Sequence, residues 1–341
     1  MLISRPRRWA LVGLAACAVA VSGVIVARLH TPALSSGVAA ASTGSGSQLA
    51  ADLTHSPWFA LKVTRADVAF RDQGSPAGTP PPEVRAAAGI LVDMDTGAIL
   101  WQHNEHDQLP PASTIKMLSA LVVFSNFNLD REITVTQSAL LTAGDESKMG
   151  LKAGEKLTVR ELLTGMLTVS ANDAADVVAI DTVGMERFVG AMNAQAAALG
   201  LRDTHAVSPV GLSDPRTYSS AYDLAVLATI DENSFPLFAD VVKTPYTALA
   251  PSASHPAFYL NNLNLLLSIY PAATGIKTGW TGDASACLIA MAVRGHHRLL
   301  SVILNGDFIY RTSRHLLDWG FTQEGLPSQL PTPSPSPTPP H

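Results

Sequence analysis

Two side chains in the stretch LPPASTIKMLSALVVF (109–124) have the types and spacing for nucleophilic chemistry: the hydroxyl of Ser113 and, three residues on, the amine of Lys116. Residues three apart on a helix share a face, which brings the amine within reach of the hydroxyl. A lysine set among Ile115, Met117 and Leu118 has its ammonium form disfavoured, and so is readied to take a proton from the serine. A serine in the first helical turn also has backbone N–H groups whose partial positive charge stabilises a developing oxyanion. Taken alone, the pair is better read as a snorkelling surface lysine beside a capping serine. Two further clusters favour chemistry. TVSANDAA supplies Ser170 and Asn172, a hydroxyl and a carboxamide, at a joint between helical segments, and TGIKTGWTG supplies Lys277, Thr278 and Gly279 on an edge strand. There a second cation, a hydroxyl and a bare backbone can lie along a substrate, since the absent side chain lets another backbone approach.

The elements that must hold these groups follow from pattern. Pro110 and Pro111 stop an extended segment, and the apolar spacing of MLSALVVF predicts a helix from Ser113. Thr158 and Glu161 form a capping box for VRELLTGMLTVS, and the helical segments NDAADVVAIDTV and MERFVGAMNAQAAALG follow, the last stopping at Gly200. AAGILVDMDTGAILWQHN alternates around Asp95, Thr96 and Gly97 as a hairpin. From Ala273, TGIKTGWT, SACLIAMAVRG and HRLLSVILNG read as strands, with a hairpin turn at GHHR (295–298), and RTSRHLLDWGF reads as a closing amphipathic helix. Strands at both ends with helices between predict an α/β (α+β) fold: one antiparallel sheet flanked by helices, with an inserted all-helical lobe.

The folded unit is expected over residues 83–325. Residues 31–82 read as a low-complexity linker, interrupted by HSPWFALKVTRADVAF, which fits either a short strand laid on the domain or a segment near a membrane. Residues 326–341 form a proline-rich tail, expected to be extended and uncovered. In residues 1–30, Arg5, Arg7 and Arg8 precede an uncharged run from Trp9 to Ala27, a signal peptide or membrane anchor that places the rest on the outer face. AVA at 18–20 has the pattern of a cleavage site, and LAAC ending at Cys17 has the look of a lipobox.

Over 341 residues, 47% are hydrophobic and 15% charged, enough for a sizeable core, and a net charge of −5 leaves no basic footprint for a nucleic-acid partner. Cys17 and Cys287 are the two cysteines, one of them in the leader, so no disulfide framework is available. Asp93 and Asp95 read as turn residues, and the HNEH cluster with His103 and His106 lacks further ligands, so no metal or other cofactor is expected.

Together, PASTIKM, SANDAA and GIKTGWT match in order the Ser-x-x-Lys, Ser-x-Asn and Lys-Thr-Gly set of active-serine enzymes. From about Pro82 to Phe321 the chain resembles the low-molecular-mass penicillin-binding proteins that are serine-type D-alanyl-D-alanine carboxypeptidases, as LVDMDTGAILWQHN, LLTGMLTVSANDAA and LLDWGF also do. The resemblance implies a beta-lactamase/transpeptidase-like fold. It implies Ser113 as the acylated nucleophile, Lys116 as proton acceptor, and Ser170 and Asn172 as proton shuttle and holder of the substrate amide. Lys277, Thr278, Gly279, Trp280 and Thr281 would bind substrate, with the N–H groups of Ser113 and Trp280 as oxyanion hole. The implied partners are a peptidoglycan stem peptide ending in D-Ala-D-Ala and beta-lactams as covalent inhibitors. One departure stands out: NNLNLLL has Leu263 where some relatives place an arginine.

A beta-lactamase is the first alternative, and no Glu-x-x-Leu-Asn stretch is present to position a deacylating water. A D,D-endopeptidase would use the same residues. A non-catalytic, membrane-anchored wall-binding protein is disfavoured by the intact motifs, and a Ser-His-Asp hydrolase by the lack of a Gly-x-Ser-x-Gly elbow.

Overall fold

In the computed structural model, which describes residues 53, 58–63, 68–73, 79–142 and 147–330, the two ends of the folded chain meet in one sheet. The chain enters through β1 (Arg71–Asp72), forms the hairpin β2 (Ala86–Asp93) and β3 (Ala98–His103), and passes through a 3₁₀ turn (Ala112–Ile115) into α1 (Lys116–Asn126). A helical lobe follows: β4 (Glu132–Thr134), α2 (Gln137–Thr142), β5 (Lys156–Thr158), α3 (Val159–Thr168), α4 (Asn172–Ile180) and α5 (Met185–Ala198). Then come α6 (Ala221–Ser234), α7 (Pro236–Val242), the ribbon β6 (Tyr246–Leu249) and β7 (Phe258–Asn261), and the single turn α8 (Leu266–Ile269). Strands β8 (Ala273–Thr281), β9 (Ser285–Arg294) and β10 (His297–Gly306) complete the sheet, and α9 (Ile309–Gln323) closes the domain.

The sheet order is β1-β3-β2-β10-β9-β8, antiparallel except for the short β1–β3 pair. Both faces are covered, so its central strands are apolar on both sides. On β10, Leu300, Val302 and Leu304 join the core shared with α1 and α6, while Leu299 and Ile303 face Leu316, Leu317 and Phe321 of α9. The expected fold class is the observed one: an antiparallel sheet between helical layers, with the helical lobe inserted between β3 and β8. The Thr158–Glu161 capping box is formed in both directions, and Gly97 turns the β2–β3 hairpin at φ 75°.

Three expectations change in detail. The helix expected from Ser113 begins as a 3₁₀ turn, and the α-helix proper starts at Lys116. The patch within 31–82 is not all linker: Phe59 and Val68 are buried, Trp58 packs near Phe127, Phe70 meets the Tyr222 ring edge-on, and Arg71–Asp72 pairs with β3. Three aromatic residues in that patch had apolar surface to bury, and the folded domain accepted it. The tail likewise starts later than residue 326, because Ser328 Oγ and Gln329 N–H donate to Asp318 and Arg294 donates to Pro327 O. The leader at 1–30, with its anchor and lipobox readings, and the tail beyond 330 lie outside the described residues, among which no helix is long and apolar enough to cross a membrane.

Candidate active site

The 3₁₀ turn that carries Ser113 lies against β8, and glycine makes that approach possible. A Cβ on Gly279 would stand 3.0 Å from Ser113 N, 3.0 Å from Ala112 Cβ and 3.1 Å from Pro111 O, tighter than nearly all real contacts. The backbone that Gly279 admits is therefore the chain's own turn at Pro111–Ser113. Ala112 takes φ 48° to make the turn, and Ser170 takes φ 58° at the joint between α3 and α4. Left-handed backbone at non-glycine residues costs about 1–3 kcal/mol each and persists where packing over-determines it. Ser170, and Ser113 next to Ala112, line the same cleft.

Lys116 is completely buried, and its Nζ lies 2.9 Å from Ser113 Oγ, 2.7 Å from Asn172 Oδ1 and 2.9 Å from Val210 O. Asn172 starts α4, and its backbone N–H donates to Ser147 O. Asp173, also buried, accepts the N–H groups of Met149, Gly150 and Leu151, fixing this segment to the start of α4 and setting Ser147 in the cleft. Ser170 Oγ is buried with no hydrogen-bond partner among the described residues, a hydroxyl available to a ligand.

These groups border a cavity of about 610 Å³. Of the nine residues singled out from sequence, Ser113, Ser170, Asn172, Thr278, Gly279, Trp280 and Thr281 line it. Lys116 and Lys277 stand behind the surface: Lys277 is 2% exposed, its Nζ donates to Thr278 O at 2.9 Å, and burial pulls its pKa down to about 7. β8 is an edge strand, so its outer side offers backbone groups to an extended ligand. Trp280 is 72% exposed on that edge. Cys287 pairs with Gly279 across β9, and burial pushes its thiol up to about 11, which leaves it unreactive.

Sequence reasoning missed the Val210 carbonyl, Asp173, and a wall made by Leu212, Phe308, Ile309 and Tyr310. No local pattern marks Val210 or the wall; only tertiary folding brings them in. Leu263, the noted departure, does line the cavity. The metal-type donors Asp93, His297 and Glu324 come together among the described residues, but none of them lines the cavity.

The family model described as D-alanyl-D-alanine carboxypeptidase matches residues 75–308. The D-alanyl-D-alanine carboxypeptidase DacB2 of Mycobacterium tuberculosis is 37% identical over 255 residues, covering 72% of this chain and 86% of the relative. The D-alanyl-D-alanine carboxypeptidase DacF of Bacillus subtilis is 32% identical over 249 residues, covering 70% of this chain and 62% of the relative. Among solved structures, a D-alanyl-D-alanine carboxypeptidase from Mycobacterium tuberculosis superposes with a TM-score of 0.67 at 34% identity, over 73% of this chain and 96% of that one. The Streptomyces K15 DD-transpeptidase does so with a TM-score of 0.66 at 30% identity, over 72% of this chain and 100% of that one. With the motifs, their geometry and these likenesses in agreement, the chain belongs to the D-alanyl-D-alanine carboxypeptidases of peptidase family S11.

Proposed function

We propose that this chain is a serine-type D-alanyl-D-alanine carboxypeptidase that removes the terminal D-alanine from peptidoglycan stem peptides through an ester on Ser113. The observation that carries the reading is the setting of Lys116. Its Nζ donates to Ser113 Oγ at 2.9 Å, to Asn172 Oδ1 at 2.7 Å and to Val210 O at 2.9 Å, which holds the nitrogen against the serine hydroxyl whose proton it would accept.

The substrate backbone would run along the outer edge of β8. Ser113 Oγ attacks the scissile carbonyl as its proton passes to Lys116, and the N–H groups of Ser113 and Trp280 hold the oxyanion. Ser170 relays the proton to the departing amine, so the C–N bond breaks and D-alanine leaves. Water then repeats the path and releases the shortened peptide. Thr278 and Thr281 hydroxyls, with Lys277 behind them, hold the peptide end. A beta-lactam presents a strained amide to the same nucleophile and remains as a long-lived ester. The work is done on the outer side of the cytoplasmic membrane, with the uncharged run from Trp9 to Ala27 as anchor or export signal.

Fluorescent penicillin should label the wild-type chain covalently and leave Ser113→Ala unlabelled; an unlabelled, well-folded wild type rejects the reading. Mass spectrometry of muropeptides should record loss of one D-alanine from pentapeptides. Conversion of dimers to monomers would instead assign a D,D-endopeptidase.

A further inference from the structure

Three donor side chains that the proposed reaction does not use converge at one spot away from the cleft lining. Asp93 closes β2, His297 opens β10 and Glu324 follows the last residue of α9, and one ligand atom from each lies within 4.8 Å of the other two. The strand pairing sets Asp93 opposite Leu299, two residues beyond His297, and α9 packs on the same sheet and delivers Glu324.

Asp93 is fully buried, and its carboxylate is aimed by its own turn. Oδ1 accepts the N–H groups of Asp95 at 2.8 Å and Thr96 at 3.2 Å, while Oδ2 faces His297. His297 Nδ1 stands 3.4 Å from Asp93 Oδ2 and 3.7 Å from Glu324 Oε2. Charge-assisted N–H···O bonds close at about 2.7–2.9 Å, and the single proton that Nδ1 can carry serves one oxygen. Hydrogen bonding therefore leaves a buried carboxylate oxygen, Asp93 Oδ2, without a close partner among the described residues. Arg298, the next residue in the chain, does not supply one, because its guanidinium reaches Asp95 and Asn233, at 2.7 Å each.

The same separations suit a metal ion. Zn²⁺ bonds carboxylate oxygen and imidazole nitrogen at about 2.0–2.2 Å, and a tetrahedron of such bonds has edges of about 3.3–3.6 Å. Two carboxylates complement the charge of a dication, and an imidazole donor selects a transition metal over Mg²⁺ or Ca²⁺. The side chains of His297 and Glu324 are 30% and 24% exposed, which gives the ion an entry path and leaves room for water as a fourth ligand.

We infer that Asp93, His297 and Glu324 form a binding site for Zn²⁺ or a similar divalent transition metal, which staples the end of α9 to β2 and β10. His297 would bind through the Nδ1 lone pair, with its proton on Nε2. The inference is independent of the acyl-enzyme reading, since none of the three donors lines the cleft.

The test uses the full-length chain, stripped of metal with EDTA, and Zn²⁺ itself as the probe. Equilibrium dialysis at about 10 µM free Zn²⁺ should record about one bound ion per chain. Zn²⁺ at about 100-fold above its Kd should raise the melting temperature by about 5–10 °C. His297→Gln and Glu324→Gln, both at partly exposed positions, should each weaken binding by about 100-fold or more and cancel that rise. The double variant His103→Gln, His106→Gln, which removes the HNEH cluster, should change neither readout. No bound Zn²⁺ in the wild type, binding that survives either single variant, or binding lost with the HNEH cluster instead overturns the inference.

Discussion

At Lys116 the described chain sets the oxygens of Ser113, Asn172 and Val210 around one buried nitrogen, which orients the amine and keeps the serine beside it. Lys116→Ala should abolish penicillin labelling. It should also cost about 2–4 kcal/mol, from the cavity and from the partner lost to the Val210 carbonyl, and circular dichroism should still report a folded protein. Lys277 is the second buried amine, and desolvation draws its pKa from 10.5 to about 7. Between those values the unfolded chain binds the proton and the folded chain does not, so stability rises with pH across pH 7 to 10.5. Below pH 7 the whole penalty applies. Lys277→Met should therefore gain stability over wild type at pH 7, on the order of 3 kcal/mol, and the gain should shrink toward pH 10 in melting curves. Ligands bearing a carboxylate should bind the wild type less well as pH climbs through 7, because the ammonium is lost.

Among the elements, β8 and the 3₁₀ turn act as a pair. Gly279 lets the turn rest on the strand, so Ser113 and Trp280 come to one side of the cleft. Gly279→Ala requires Pro111–Ser113 to give by a few tenths of an ångström, and since a 1 Å misplacement costs about 10²-fold in rate, a smaller loss, about tenfold, is expected. The expected outcome is slow acylation by penicillin with near wild-type melting; fast acylation would separate the turn from the oxyanion site. On the other wall, Asp173 sets the α4 start by accepting three N–H groups from 149–151.

For the molecule as a whole, α9 gathers both ends of the described fold. The Trp319 indole N–H donates to Thr79 O, while Asp318 binds Arg294, Ser328 and Gln329. Arg294 also stacks on Phe321 at 5.0 Å. Asp318→Ala leaves a buried guanidinium without its carboxylate and should destabilise the domain by about 3–5 kcal/mol. Limited proteolysis should then cut near residues 326–330, while penicillin labelling persists at low temperature, because this latch does not touch the cleft.

The sequence alone determined the frame and picked out the candidate residues of the proposed reaction. Ser113 and Lys116 are three residues apart on one helix face, and strand and helix periods are written locally, so their proximity and the sheet-with-insertion architecture were legible. What touches Lys116 across 94 residues, the Val210 carbonyl, was not. Nor were the identity of the backbone against Gly279, the anchoring of the aromatic patch at 58–72, or the wall of Leu263, Phe308, Ile309 and Tyr310. Those depend on which distant segments pack together, and each is made of ordinary apolar residues or backbone groups that carry no pattern of their own. Only the tertiary structure decided that the cleft is free of charge along its described lining, because a cavity's polarity is a property of the surfaces that meet there.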